Sequence, residues 1–207
     1  MSAPKAVVYI VEDDPSFRKS MERLICASGY EVVACESANS FLAQASIRHP
    51  GCLLLDVQLP DIDGLRLQRE LIEKGIHLPI IFMTGHGTIP MSVQAMKDGA
   101  IDFLPKPFRT KGLLSAIVEA LERDVHDVQE ELEKKKINAL IDTLTPREKE
   151  VLHWVITGKL NKQIAHALGT TEKTIKVHRG RIMEKLCVDS VAELVRLAEK
   201  VGIKPTK

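Results

Sequence analysis

The sequence predicts an α/β unit built on a doubly wound parallel sheet, followed by a small all-α unit. Two observations carry this. Short apolar runs alternate with helix-spaced segments up to about residue 108, and each of the four best runs leads into a charged or hydroxyl group. From Leu144 onward the signals are helix starts, helix stops and basic residues.

Taken in order, Ala6–Val11 is a continuous apolar run that ends in Glu12-Asp13-Asp14. Runs of this kind, flanked by Gly, Pro and acids, read as strands buried on both faces. Asp14–Ala27 places Phe17, Met21, Leu24 and Ile25 at helical spacing. A weaker strand, Glu31–Cys35, follows the break at Gly29-Tyr30. Cys52–Leu55 ends in Asp56, and Gly64–Glu73 reads as a helix. Pro79–Met83 ends in Thr84, Pro90–Lys97 reads as a helix, and Ala100–Leu104 leads into Lys106 between Pro105 and Pro107. Strand–helix alternation with short connections implies a doubly wound sheet. Ligands of such sheets bind beyond the carboxyl ends of the strands. Two carboxylate groups of strand ends, a hydroxyl and an ammonium are therefore expected to converge there.

Composition allows this organisation. The 207 residues suffice for two small domains, and a hydrophobic content of 44% supplies packed cores. Aromatics are only 4%, so aliphatic side chains do most of the packing. No apolar stretch approaches the length of a membrane span, and Lys5 precedes a strand-like run rather than a leader core, so neither membrane insertion nor secretion is expected. Cys26, Cys35, Cys52 and Cys187 show no metal-type pairing, which fits reduced thiols in the cytoplasm. The net charge of +1 conceals an asymmetry: residues 145–207 carry 13 Lys/Arg against 7 Asp/Glu, and the rest of the chain is acidic. A basic third on an acidic chain points to nucleic acid.

Between the two units lies a heptad-like stripe. Leu114, Val118, Leu121, Val125, Val128 and Leu132 are spaced 4, 3, 4, 3, 4, and the stripe fades at Lys134-Lys135-Lys136. Its first two turns are expected to pack on the sheet. The continuation to Leu132 has no evident core to cover and reads as a linker helix able to pair with another chain. Thr145-Pro146-Arg147-Glu148 then forms a helix start with a capping box, and Gly158 stops that helix. Asn161–Leu168 ends at Gly169, Thr171 caps Glu172–Leu186, and a last helix runs from about Val191 to Val201. Two short helices with a glycine-bearing turn, the second rich in basic residues, make a helix-turn-helix.

The acids define a chemistry. Like-charged carboxylates at close range repel unless a cation neutralises them. A hard divalent ion such as Mg²⁺ or Mn²⁺ meets that need with oxygen ligands. With Lys106 and the Thr84 hydroxyl added, the group forms a cradle for a phosphoryl group on Asp56, a transfer that needs positioning and charge neutralisation. Residues 5–125 resemble the response-regulator receiver domain, through Val11-Glu12-Asp13-Asp14, Leu55-Asp56-Val57-Gln58-Leu59-Pro60, Asp63-Gly64, Met83-Thr84-Gly85 and Lys106-Pro107-Phe108. That resemblance implies a five-stranded sheet in the order 2-1-3-4-5 and phosphorylation of Asp56 by a sensor histidine kinase. It also implies metal held by Asp13, Asp56 and the Gln58 carbonyl, with Glu12 acting through water, a Thr84–Phe103 switch pair, and a cis Lys106–Pro107 peptide. By spacing alone, Phe103 reads as a core aromatic.

Lys173, Lys176, His178, Arg179, Arg181 and Lys185 crowd the second helix of the helix-turn-helix, a run that reads either as a solvated face or as a DNA surface. Residues 144–202 resemble the output domain of LuxR/FixJ-type regulators, through Leu144–Glu148, Gly158, Asn161-Lys162, Ile164-Ala165, Leu168 and Thr174–His178. The whole chain resembles a FixJ-subfamily two-component response regulator, with the styrene-catabolism regulators as one candidate group. The resemblance implies double-stranded DNA read through Lys173, Thr174, Lys176, Val177, Arg179 and Arg181, a homodimer when phosphorylated, and RNA polymerase as a partner. The chain departs from the pattern at Gly180, where family members often carry a polar or basic reader. The expected domains are 1–122 (receiver), 123–142 (helical linker) and 143–207 (DNA binding). Two other functions share these residues. A metal-dependent phosphotransferase could use the same acids and Lys106, but no substrate-sized insertion lies in the strand-end loops. An RNA-binding regulator would want surface aromatics for stacking, which are scarce.

Overall fold

Each strand alternates its side chains between two faces, so a strand covered on both faces must be apolar throughout. A computed structural model describes residues 5–43, 46–85 and 88–206. The first four residues and Lys207, which the expected domain bounds include, lie outside the described residues. The strands β1 (Val7–Val11), β2 (Glu31–Cys35), β3 (Gly51–Asp56), β4 (Ile80–Thr84) and β5 (Asp102–Pro105) form one parallel sheet in the order β2-β1-β3-β4-β5.

Helices α1 (Pro15–Ala27), α2 (Ala38–Leu42), α3 (Gly64–Glu73), α4 (Ile89–Lys97) and α5 (Thr110–Asp142) follow the successive strands. Val8, Ile10, Cys52, Leu54, Ile81 and Met83 pack on one face against Met21 and Ile25 of α1 and Leu113, Ile117 and Ala120 of α5. Val7, Tyr9, Val11, Leu53, Leu55 and Phe82 pack on the other against Phe41 of α2, Leu67 and Leu71 of α3, and Ala95 of α4. The doubly wound expectation is met.

Details differ from the sequence expectation for local reasons. Helix α2 carries no usable apolar period because it has only five residues; Ser37 and Ser40 cap each other to start it. Strand β5 begins at Asp102, two residues later than expected, because the Ala100 amide is taken by the Ala95 carbonyl at the end of α4. Asp14 does not extend the acidic site. Its side chain caps α1 by accepting from the Ser16 and Phe17 amides at 2.7 and 3.0 Å, and these bonds hold its carboxyl below the ordinary value.

Helix α5 corrects the stripe. The core-facing line is Leu113, Ala116, Ile117, Ala120 and Leu121, so Val118, Val125 and Leu132 face solvent. The alanines let α5 lie close to the sheet, and a count of large apolar residues passes over them. The next position on that line is Asp124, which is buried. It accepts from the Gly51 amide at 2.8 Å and meets His49 Nδ1 at 2.8 and 2.9 Å. Asp124 thus ties α5 to the start of β3.

The chain divides into two compact units, Met1–Val128 and Gln129–Lys207, and α5 contributes to both. In the second unit α6 (Pro146–Val155), α7 (Asn161–Ala167), α8 (Glu172–Lys185) and α9 (Val191–Lys200) surround Val151, Leu152, Val155, Ile164, Ile175, Ile182 and Leu194. Ile137 and Ile141 of α5 are buried in the same cluster. The last turns of the expected linker therefore do have a core to cover.

Replacing Asp124 by Ala leaves the buried Gly51 N–H without its acceptor. Asp124→Ala is expected to lower stability by about 1–3 kcal/mol, measured by denaturant unfolding of the full chain. A loss near zero would show that water replaces the carboxylate there.

Candidate functional site

The sheet register brings the acids together. Val11 is opposite Leu55, so the residues that follow, Glu12 and Asp56, leave neighbouring strands side by side. Thr84 is opposite Pro105, and its carbonyl accepts from the Lys106 amide at 2.7 Å, which turns Lys106 back over the strand ends. The Lys106 ammonium donates to Glu12 Oε2 at 2.6 Å and to Asp56 Oδ2 at 2.7 Å. It also stands 4.1 Å from the centre of the Phe17 ring, whose face attracts a cation. Glu12 and Asp56 are buried, Asp13 is exposed, and carboxylate oxygens of all three lie within 4.8 Å of one another.

The charges do not balance within the chain. Three carboxylates face one ammonium, which leaves an excess of negative charge that a divalent cation would offset. The donors are hard oxygens, so the set fits Mg²⁺ or Mn²⁺. Burial pushes the Glu12 carboxyl above its ordinary value of 4.5, against the pull of Lys106. Burial also works against the Lys106 charge, but the bonds to Asp56 and Glu12 outweigh it and hold that ammonium above its ordinary 10.5.

The remaining expected residues fall around this centre. The Gln58 amide donates to Asp56 Oδ1 at 3.0 Å and so orients the carboxylate. Thr84 is buried at the end of β4. Phe103 is half-buried, its ring centre 6.1 Å from that of Phe82, in keeping with a core aromatic. The Lys106–Pro107 peptide is cis. Gly64 is required by space, because a Cβ there would collide with the Asp56 carbonyl oxygen and touch Val57 Cα at 3.0 Å. Sequence reasoning missed Arg18, whose guanidinium donates to the Glu12 and Asp13 carbonyls at 2.6 and 3.0 Å and pins that strand end. A lone Arg one turn into a helix gives no signal of this.

In the second unit α8 separates its residues by face. Lys173, Lys176, Val177 and Arg181 are exposed, and Thr174 is half-buried with its hydroxyl 2.8 Å from that of Thr171. Arg179 turns aside and donates to Asn161 Oδ1 of α7 at 2.7 Å. Lys185, part of the basic run, turns inward: it pairs with buried Glu148 at 2.7 Å and donates to the Thr143 carbonyl at 3.1 Å. Glu148 also accepts from the Thr145 amide at 2.9 Å, completing the expected capping box. His178 is half-buried, its Nδ1 without a partner among the described residues.

This layout is that of a known domain pair. Residues 8–118 match the response regulator receiver domain, and residues 142–198 match the luxR family of bacterial regulatory proteins. The chain belongs to the two-component response regulators with a LuxR-type output domain. This response regulator is 47% identical to nodulation protein W of Bradyrhizobium diazoefficiens over 98% of its own length and 89% of that protein's. It is 43% identical to the response regulator protein TmoT of Ectopseudomonas mendocina, over 97% of this chain and 91% of TmoT. Among solved structures, the response regulator StyR matches 95% of this chain with all of its own, at 44% identity and a TM-score of 0.76. The likeness to StyR fits the group expected from the sequence. The two domains imply a histidine kinase as partner and DNA as target. The chain is a transcription regulator, so the readings as a small-molecule phosphotransferase and as an RNA-binding regulator are set aside. No helix among the described residues is long and apolar enough to cross a membrane.

Lys185 and the Thr145 amide hold the Glu148 carboxyl at about 2, well below its ordinary 4.5. A carboxyl depressed in the folded state stabilises the fold above its unfolded pKa, and that contribution is lost as pH falls through the folded value. Stability is therefore expected to fall between pH 4.5 and about 2. The Glu148→Gln chain should lose less over that window in acid titrations of unfolding; equal losses would remove Glu148 as a cause.

Proposed function

We propose that Asp56 accepts a phosphoryl group from a sensor histidine kinase, and that this change controls dimerisation and sequence-specific binding of double-stranded DNA. The observation that carries the reading is the Lys106 ammonium held between Glu12 and Asp56 at 2.6 and 2.7 Å. In the transfer, an Asp56 carboxylate oxygen forms a bond to phosphorus while the bond from phosphorus to the kinase histidine nitrogen breaks, and the electron pair leaves with that nitrogen. Glu12, Asp13, Asp56 and the Gln58 carbonyl are the residues that would hold Mg²⁺ or Mn²⁺. A bound divalent ion supplies positive charge for the phosphoryl oxygens. Lys106 neutralises a further oxygen, the Gln58 amide keeps the carboxylate oriented, and the Thr84 hydroxyl donates to the new group. Phe103, opposite Phe82 in the β4–β5 pair and two residues before the Thr84 partner Pro105, follows that movement as the switch partner.

Support for a dimer comes from exposed apolar residues flanking β5, the edge strand. Ile89, Val93 and Met96 of α4 lie on one side of the sheet, and Val118 of α5 on the other. The α5 stripe through Val125 and Leu132 adds apolar surface. In this reading residues 1–122 receive the signal, 123–142 link, and 143–207 bind DNA. The regulator acts in the cytoplasm and works through RNA polymerase, as an activator. Lys173, Lys176 and Val177 lie in the N-terminal half of α8, the half that a helix-turn-helix sets against base edges. Lys176 donates to guanine, Val177 meets a thymine methyl, and Arg181 meets phosphate. Thr174 and Arg179 complete the DNA surface, with Arg179 positioned by Asn161.

Incubation with acetyl phosphate and Mg²⁺ is expected to label the chain, and the Asp56→Asn chain is expected to stay unlabelled. Full labelling of that variant would overturn the assignment. Sedimentation velocity should show mainly monomer without phosphate and dimer after labelling; one unchanged mass would reject the dimer. Lys176→Ala should cost about 1–3 kcal/mol on the operator and relax preference at one base pair per half-site. An equal loss on random DNA, in binding titrations at several salt concentrations, would reduce Lys176 to a phosphate contact.

A further inference from the structure

The solvent face of α8 has its gap in the middle. From Lys173 to Glu184 the exposed positions are Lys173, Lys176, Val177, Gly180, Arg181 and Glu184, and the residues between them are buried or half-buried. At 3.6 residues per turn the six form one stripe, with Lys173 and Glu184 at its two ends and Gly180 beside Val177 at the middle of its length. Lys176 stands on one flank, with Val177 and Arg181 on the other.

Nothing inside the protein accounts for a glycine there. Glycine is the poorest helix former apart from proline, and Gly180 sits in the interior of a continuous 14-residue helix. Its backbone is not in the left-handed region, which the chain uses at Gly158 and Gly169. A Cβ at Gly180 would meet no atom within 4 Å, so no neighbouring helix demands its absence. Gly64 is the contrasting case, where the protein itself occupies the space. The helix thus carries a local cost with no internal return, on the face where its cations are gathered.

We infer that Gly180 is the point of closest approach of α8 to DNA, and that it sets how deeply the helix seats in the major groove. The inference rests on the DNA-reading role proposed for α8. With no side chain at Gly180, half-way along the stripe, the helix backbone comes close to the base edges or the groove wall. Lys176 and Val177 then reach base edges from the flanks, and Arg181 reaches phosphate. A side chain at position 180 acts as a spacer that lifts these groups away. Charge complementarity selects the occupant: the second unit's excess of basic residues suits a polyanion, and the groove admits a helix.

The test uses the full chain, labelled throughout with acetyl phosphate and Mg²⁺, and a duplex that the labelled unaltered protein selects from a pool with a randomised core, with unselected duplex for comparison. Gly180→Ala is expected to keep or raise the thermal midpoint, because alanine favours the helix. Even so, it should bind the selected duplex less tightly. Gly180→Leu should bind that duplex at least about tenfold more weakly, a difference of about 1.4 kcal/mol. Binding to the unselected duplex should change less in both, because phosphate contacts tolerate a small displacement. Unchanged affinity of both variants for the selected duplex overturns the inference and leaves the DNA-reading role of α8 intact. If the unaltered chain enriches no sequence, that role and the inference both fall. Should Gly180→Leu melt lower than the unaltered chain, the alanine variant alone decides.

Discussion

One ammonium between two carboxylates organises the first unit. Lys106 reaches Glu12 and Asp56 only because β1, β3, β4 and β5 are in register and end at the same level. Moving any strand by one residue would send its terminal side chain to the other face of the sheet. The bridge therefore depends on two packed cores of Val, Leu, Ile and Met that lie below it and take no part in the chemistry. It also leaves net negative charge at the strand ends. A site that already neutralised itself would have no need of a divalent cation.

The second unit repeats this logic with a different pair. Glu148 and Lys185 join the start of α6 to the end of α8, and Arg179 with Asn161 joins α8 to α7. Together with buried Ile175 and Ile182, these contacts fix how α8 is rotated about its own axis. Rotation decides which residues reach a partner. Lys173, Lys176, Val177 and Arg181 face out because Arg179 is tied to Asn161 and Lys185 to Glu148. A basic helix with all its cations free would bind anions without a preferred orientation.

Helix α5 shows the limit of counting large apolar residues. A stripe of Leu and Val suggested a pairing surface, but the helix packs through a neighbouring line containing Ala116 and Ala120 and continues it with a buried aspartate. Asp124 is stable there because the Gly51 amide and His49 meet it. Its two partners lie more than seventy residues earlier in the chain, so no local pattern could reveal it.

The alternation of strands and helices, the caps at Thr145 and Thr171, the acids and Lys106 at strand ends, and the basic final third are all legible in the order of residues alone. These are readable because period, capping and turn chemistry are local, and because a buried parallel strand must be apolar on both faces. Which of those polar residues act together depends on the packed fold. Asp14 went to a helix cap while Asp13 joined the acidic cluster, Arg179 met Asn161 and Lys185 met Glu148 while Lys176 stayed exposed, and Asp124 was buried at the end of an apolar line. The direction of a long polar side chain is set by hydrogen-bond partners from other elements, and a one-dimensional pattern carries no information about which partners the fold brings within reach.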